Sequence, residues 1–102
     1  MSYTGNKGRV LLANTDAMFL KGLRSHLEGA GYEVVFECSN GNDALKKATE
    51  LHPDALILGL MLPGMDGSEV VSAVKAAHPA MAPVCIITTS VANPLMLGEA
   101  LS

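Results

Sequence analysis

Four short apolar runs separated by stretches of helical periodicity constrain this sequence more than any other feature. The first is Val10, Leu11, Leu12 and Ala13, the third Ala55, Leu56, Ile57 and Leu58, and the fourth Val84, Cys85, Ile86 and Ile87. The first does not alternate apolar with polar residues, as expected of a strand buried on both faces, whereas the fourth is expected to stand at the edge of the sheet. The second run, residues 32–36, is rich in β-branched and aromatic residues and also reads as a strand.

The intervening segments read as helices. Over residues 16–29, Phe19, Leu23 and Leu27 recur every four residues, and Leu20 widens the stripe. Gly29 and Gly31 mark the stop. Residues 42–51 place Ala44, Leu45, Ala48 and Leu51 on one face, and Pro53 ends that helix. A third helix, capped by Ser68 or Asp66, carries Val70, Val71 and Val74, with Pro79 and Pro83 bounding the next loop. Near the end, Asn93 can cap a short helix with Pro94 at its first position, running to Leu101 and weakened by Gly98.

Helices between buried strands imply a parallel α/β sheet in three layers, with right-handed crossovers and helices on both faces. The working site of such a sheet lies at the carboxyl ends of its strands. Here those ends are residues 14–16, 59–61 and 88–90.

A chain of 102 residues suits one domain, read as a flexible lead-in over 1–8 and a folded unit over 9–102. The charged fraction is 17%, below the roughly 25% usual for soluble domains. That shortage of polar surface implies a shielded face or a partner. A net charge of -3, no basic stripe and no tryptophan argue against nucleic-acid binding by this chain. Cys38 and Cys85 lie far apart and form no CxxC motif, so they read as buried thiols in a reducing compartment. The polar start MSYTGNKG is no signal peptide, and no apolar run is long enough to span a membrane. These features favour a cytoplasmic location.

Three segments carry a family resemblance: RVLLANTDAMFLKGLRSHLEGAGYEVV at 9–35, NGNDALKKATELHPDALILGLMLPGMDG at 40–67, and PVCIITTS at 83–90. Together they resemble the receiver domains of bacterial response regulators. The resemblance implies a flavodoxin-like sheet with four of the usual five strands, in the order 2-1-3-4, and no fifth strand or fifth helix. It also implies an ancestral reaction in which an aspartate after the third strand takes a phosphoryl group from a histidine kinase, assisted by Mg²⁺ on an acidic pair.

On that resemblance the phosphoacceptor position is Gly59, which has no nucleophile. The acidic pair corresponds to Asn14 and Thr15, both neutral, and Asp16 lies one residue along as a helix cap. Thr88 matches the family's hydroxyl residue. Met61, Pro63, Asp66 and Gly67 are loop residues near the site, the last three as turn or capping residues. Ser68 and Ser90 have no activating base at a defined spacing, and His26, His52 and His78 form no ligand cluster. Glu33, Glu37 and Asp43 read as solvated charges.

The expectation is therefore a non-enzymatic pseudo-receiver held in one conformation, with no metal and no cofactor. It would act as a protein-interaction module, by homodimerisation or with a signalling partner. The alternatives are the receiver portion of a transcription regulator whose DNA-binding region lies elsewhere, and a small-molecule module at the vacated strand ends. A missing fifth helix is expected to expose parts of Leu12, Ile57 and Ile87, depending on which way each side chain points.

Overall fold

The computed structural model describes residues 7–77 and 83–88. In chain order its elements are β1 (Arg9–Ala13), α1 (Ala17–Gly29), β2 (Glu33–Cys38), α2 (Gly41–Leu51), β3 (Ala55–Gly59), α3 (Gly67–Ala77) and β4 (Val84–Thr88). The four strands form one parallel sheet in the order β2-β1-β3-β4. The expected helix over 93–101, with His78, Pro79 and Ser90, falls outside the described residues.

Side-chain alternation divides the strands between two cores. Leu11, Ala13, Leu56 and Leu58 point to the side covered by α2 and α3, where they pack with Ala44, Ala48, Val70 and Val74. Val10 and Leu12 point the other way, against Leu20, Leu23 and Leu27 of α1. The sheet is thus the middle of three layers.

The central strand, β1, places Leu11 and Leu12 on opposite faces with no exposure on either. That accounts for its unbroken apolar run.

β2 does not follow simple alternation. Val10 pairs with Val34 but Leu11 pairs with Phe36, so Val35 is an extra residue in the ladder. The bulge sends Val34 to the α1 core and Phe36 and Cys38 to the α2/α3 core. Glu37, read from sequence as a solvated charge, reaches Arg24 of α1 at 2.6 Å. That is an exposed-to-half-buried ion pair, which orients β2 against α1 more than it stabilises the fold.

Sequence and structure differ at several other points. Phe19 is 40% exposed, while Leu20 is 9% exposed and packs against the sheet. β2 begins after Tyr32, whose N–H closes the end of α1 by donating to the Leu27 carbonyl. α2 begins at Gly41 because the Asn40 side chain accepts from the Asp43 N–H at 2.8 Å. Leu12, expected to be partly bare, is fully covered by the α1 core. Ile87 faces α3, so the exposed apolar side chains of β4 are Val84 and Ile86, at 65% and 39%.

The amino end of the sheet is pinned by Arg9. Its guanidinium donates to the Leu51 carbonyl at 2.7 Å and the His52 carbonyl at 3.3 Å, both at the end of α2. Its backbone N–H donates to Asp54. His52 ends α2 in the left-handed region, with φ 48°. Among the described residues no helix is long and apolar enough to cross a membrane.

Candidate functional site at the carboxyl ends of the strands

The carboxyl ends of β1, β3 and β4 meet at a small open cavity of about 90 Å³, lined by Asn14, Thr15, Gly59, Leu60, Met61 and Thr88. Parallel pairing brings these residues together across long sequence separations. Ala13 pairs with Leu58, and Gly59 with Thr88. The Asn14 N–H continues the β1–β2 ladder by donating to the Cys38 carbonyl at 3.0 Å, which holds Asn14 at the rim.

A chain of hydrogen bonds crosses the rim. The Asp16 N–H donates to Asn14 Oδ1 at 2.9 Å. Asn14 Nδ2 donates to Thr88 Oγ1 at 3.4 Å, and the Thr88 hydroxyl donates to the Leu58 carbonyl at 3.3 Å. The Leu60 N–H donates to the Thr88 carbonyl at 2.8 Å, and the Gly67 N–H to the Leu60 carbonyl at 3.0 Å. Only neutral groups take part in this chain.

Gly59 is buried at the base of the cavity. A Cβ built on it would stand 3.3 Å from Asn14 Nδ2 and 3.6 Å from the Ala13 carbonyl oxygen. The Asn14 amide therefore borders the space that a side chain at position 59 would enter.

The remaining expected residues are used by the scaffold. Asp16 caps α1, with Oδ1 accepting from the Met18 and Phe19 N–H groups at 3.0 and 3.1 Å. Asp66, rather than Ser68, caps α3. It accepts from the Glu69 N–H, and Glu69 Oε1 accepts from the Asp66 N–H, making a reciprocal capping box. The Pro63 carbonyl accepts from the N–H groups of Gly41 and Met65, tying the β3–α3 loop to the start of α2. Gly64 turns that loop with φ 79°, where a side chain would be strained. At Gly67 a Cβ would come within 2.5 Å of the Gly59 carbonyl oxygen, so only glycine permits this approach of α3 to β3.

The donor set does not fit the Mg²⁺ that the family resemblance implies. Such a site needs hard oxygen ligands, usually carboxylates. Position 59 has no side chain, Asn14 already uses both ends of its amide, and Asp16 Oδ1 is committed to two amides of α1. Among the described residues no group of three or more His, Cys, Asp or Glu is placed to hold a metal ion.

Of the residues picked out from sequence, the structure gathers Asn14, Thr15, Gly59, Met61 and Thr88 around one cavity. It leaves Asp16, Pro63 and Asp66 in caps and turns, with Gly67 against the back of Gly59. Leu60 lies within the strand end 59–61 expected to form the site, but sequence reading assigns it no role of its own; its backbone links β4 to α3. That role rests on backbone groups, so only the pairing of β3 with β4 reveals it.

A family model described as the response regulator receiver domain matches residues 10–102. The chain belongs to the response regulator receiver family. It is similar to protein-glutamate methylesterase/protein-glutamine glutaminase 5 of Myxococcus xanthus, at 41% identity over 93 residues, or 90% of this chain and 26% of the relative. It is 38% identical over 80 residues to the transcriptional regulatory protein PrrA of Mycobacterium tuberculosis, covering 78% of this chain and 34% of the relative. Among solved structures, a DNA-binding response regulator of the LuxR family from Staphylococcus aureus superposes with a TM-score of 0.76 at 26% identity, covering 92% of this chain and 78% of that one. The receiver thus spans only 26% and 34% of these two curated relatives. As a family member it is the receiver domain of a two-component signalling protein.

Proposed function

We propose that this receiver is a pseudo-receiver, which contributes to signalling through protein contacts rather than phosphoryl transfer. The observation that carries this reading is Gly59 at the end of β3, at the base of the strand-end cavity beside neutral Asn14 and Thr15. Phosphoryl transfer to a receiver needs an acceptor oxygen and charge neutralisation around the transferring group. Position 59 supplies no oxygen, and the rim supplies a self-satisfied set of neutral hydrogen bonds. The relation to its partner would then be constitutive, with a second copy of the receiver or a signalling protein as the occupant.

Incubation with acetyl phosphate and Mg²⁺, followed by intact mass measurement, tests the chemistry. The expected result is no hydroxylamine-labile phosphoryl adduct; such an adduct would overturn the reading. Light scattering on a size-exclusion column over a concentration series tests self-association, with a dimer that persists on dilution as the expected result for the homodimer.

A second reading is favoured by the lengths of the relatives. Because the matched region is 34% of PrrA and 26% of the Myxococcus methylesterase, this receiver would serve as the input portion of a longer regulator with a separate output domain. The full encoded reading frame decides between them.

A further inference from the structure

We infer that Asn14 is the positioning residue of a permanent side-chain latch, which holds the carboxyl ends of β1, β3 and β4 in one arrangement without a bound ion or phosphoryl group. The inference rests on the pseudo-receiver reading and names the device that would keep such a receiver in a single state.

The direction of the hydrogen bonds makes the case. The Asp16 N–H can only donate, so it fixes which end of the Asn14 amide is the oxygen. Nδ2 is then turned toward Thr88 Oγ1. With that oxygen accepting, the Thr88 proton is left for the Leu58 carbonyl. One amide thereby sets the orientation of a hydroxyl on a strand two places away in the sheet, across 74 residues of sequence.

A carboxylate at position 14 has no proton to give. Thr88 would turn its own proton toward the carboxylate, and the Leu58 carbonyl would lose that hydroxyl. The amide therefore sets the sense of the network, not merely its charge.

Gly59 is the complement of Asn14. A Cβ at position 59 would lie 3.3 Å from Nδ2, tighter than ordinary side-chain contact, and any longer side chain would compete for the amide's place. The two neutral residues fit each other as a pair: one leaves the space, the other borders it and bridges onward to β4. The Leu60 N–H, bonded to the Thr88 carbonyl, extends the latch into the β3–α3 loop.

Amide hydrogen exchange on the full chain tests this, with Leu60 as the reporter. In N14A the Leu60 amide is expected to exchange about five- to ten-fold faster, the factor that one lost hydrogen bond of ordinary net strength supplies. N14D should exchange faster than the unaltered protein but slower than N14A, since its carboxylate can still accept the Thr88 proton at the expense of Leu58. T88V, which keeps the side-chain shape, should give the same acceleration as N14A, and N14A/T88V should add nothing to either single change. Leu60 exchange unchanged within two-fold in both N14A and T88V, or fully additive effects in the double variant, would overturn the latch. Phosphoryl uptake by the unaltered protein would overturn the pseudo-receiver reading and leave this exchange pattern as it is.

Discussion

The two faces of the sheet are closed to different degrees. On the α2/α3 side, nine buried residues join strands to helices, and both apolar side chains of β4 on that side, Cys85 and Ile87, are drawn in. Among the described residues, only Val10, Leu12 and Leu20 are buried on the α1 side, while Val84 and Ile86 are exposed beside a groove of about 370 Å³. Among the described residues, one helix packs on that face, whereas two helices span the other. The difference teaches that strand burial is set by helix placement: the same alternating strand can be sealed on one side and open on the other.

The largest expected effect is on the sealed face. Leu56→Ala or Leu58→Ala should cost about 2–5 kcal/mol in urea unfolding, since each leaves a cavity among fully buried neighbours. Leu20→Ala, on the open face, should fall at the low end of that range because a side chain at the edge of its cluster leaves a hole that solvent and neighbours can fill. Equal losses at the two places would break the contrast.

Helix caps come next. Asp66→Ala removes a reciprocal capping box from a helix of the sealed face, and Asp16→Ala removes a cap that serves two amides on the open face. Each should cost about 1 kcal/mol in the same unfolding measurement. Asp66→Asn should recover most of the loss.

Replacing Val84 and Ile86 by threonine should change stability by less than about 0.5 kcal/mol, as expected where little is packed. The sensitive readout is solution mass: if this strip is where copies meet, the double variant should dissociate a dimer that Cys85→Ala leaves intact.

The smallest effect concerns pH. Burial pushes the Cys38 and Cys85 thiols above their ordinary value of 9.0. A raised folded-state pKa means the unfolded chain releases its proton first. Stability is therefore full below that ordinary value and declines as pH rises through the folded one. Cys38→Ala should flatten the alkaline limb of a stability-against-pH curve, even if it shifts the curve as a whole.

Much of this was legible from residues. The unbroken runs at 10–13 and 55–58 announced buried parallel strands, and both proved to be central in the sheet. Gly59, Asn14, Thr15 and Thr88 were found by motif position, and parallel register then brought them to one cavity. Long-range or one-residue effects were not legible. Phe19 and Leu20 share a similar helical stripe, and only the docking angle of α1 decides that Leu20 goes in. Nothing local in Arg9 signals that it will bond carbonyls more than forty residues away. Asn14 read as a lost ligand; its active part as a donor needed Thr88 to be placed beside it.

The bulge at Val35 has a consequence for how such a chain can change over time. A strand counts in twos, and the extra residue resets the count midway along β2. Val34 and Phe36 look in sequence as if they should share a face, yet they serve opposite layers. Deletion of that one residue would leave Val34 and Phe36 adjacent in regular alternation, with Phe36 and Cys38 still toward α2 and α3; pairing that kept Val35 but lost the bulge would instead send them toward α1. The edge thus carries one residue more than its pairing uses, and the loss of that single codon would straighten the strand without exchanging inside for outside.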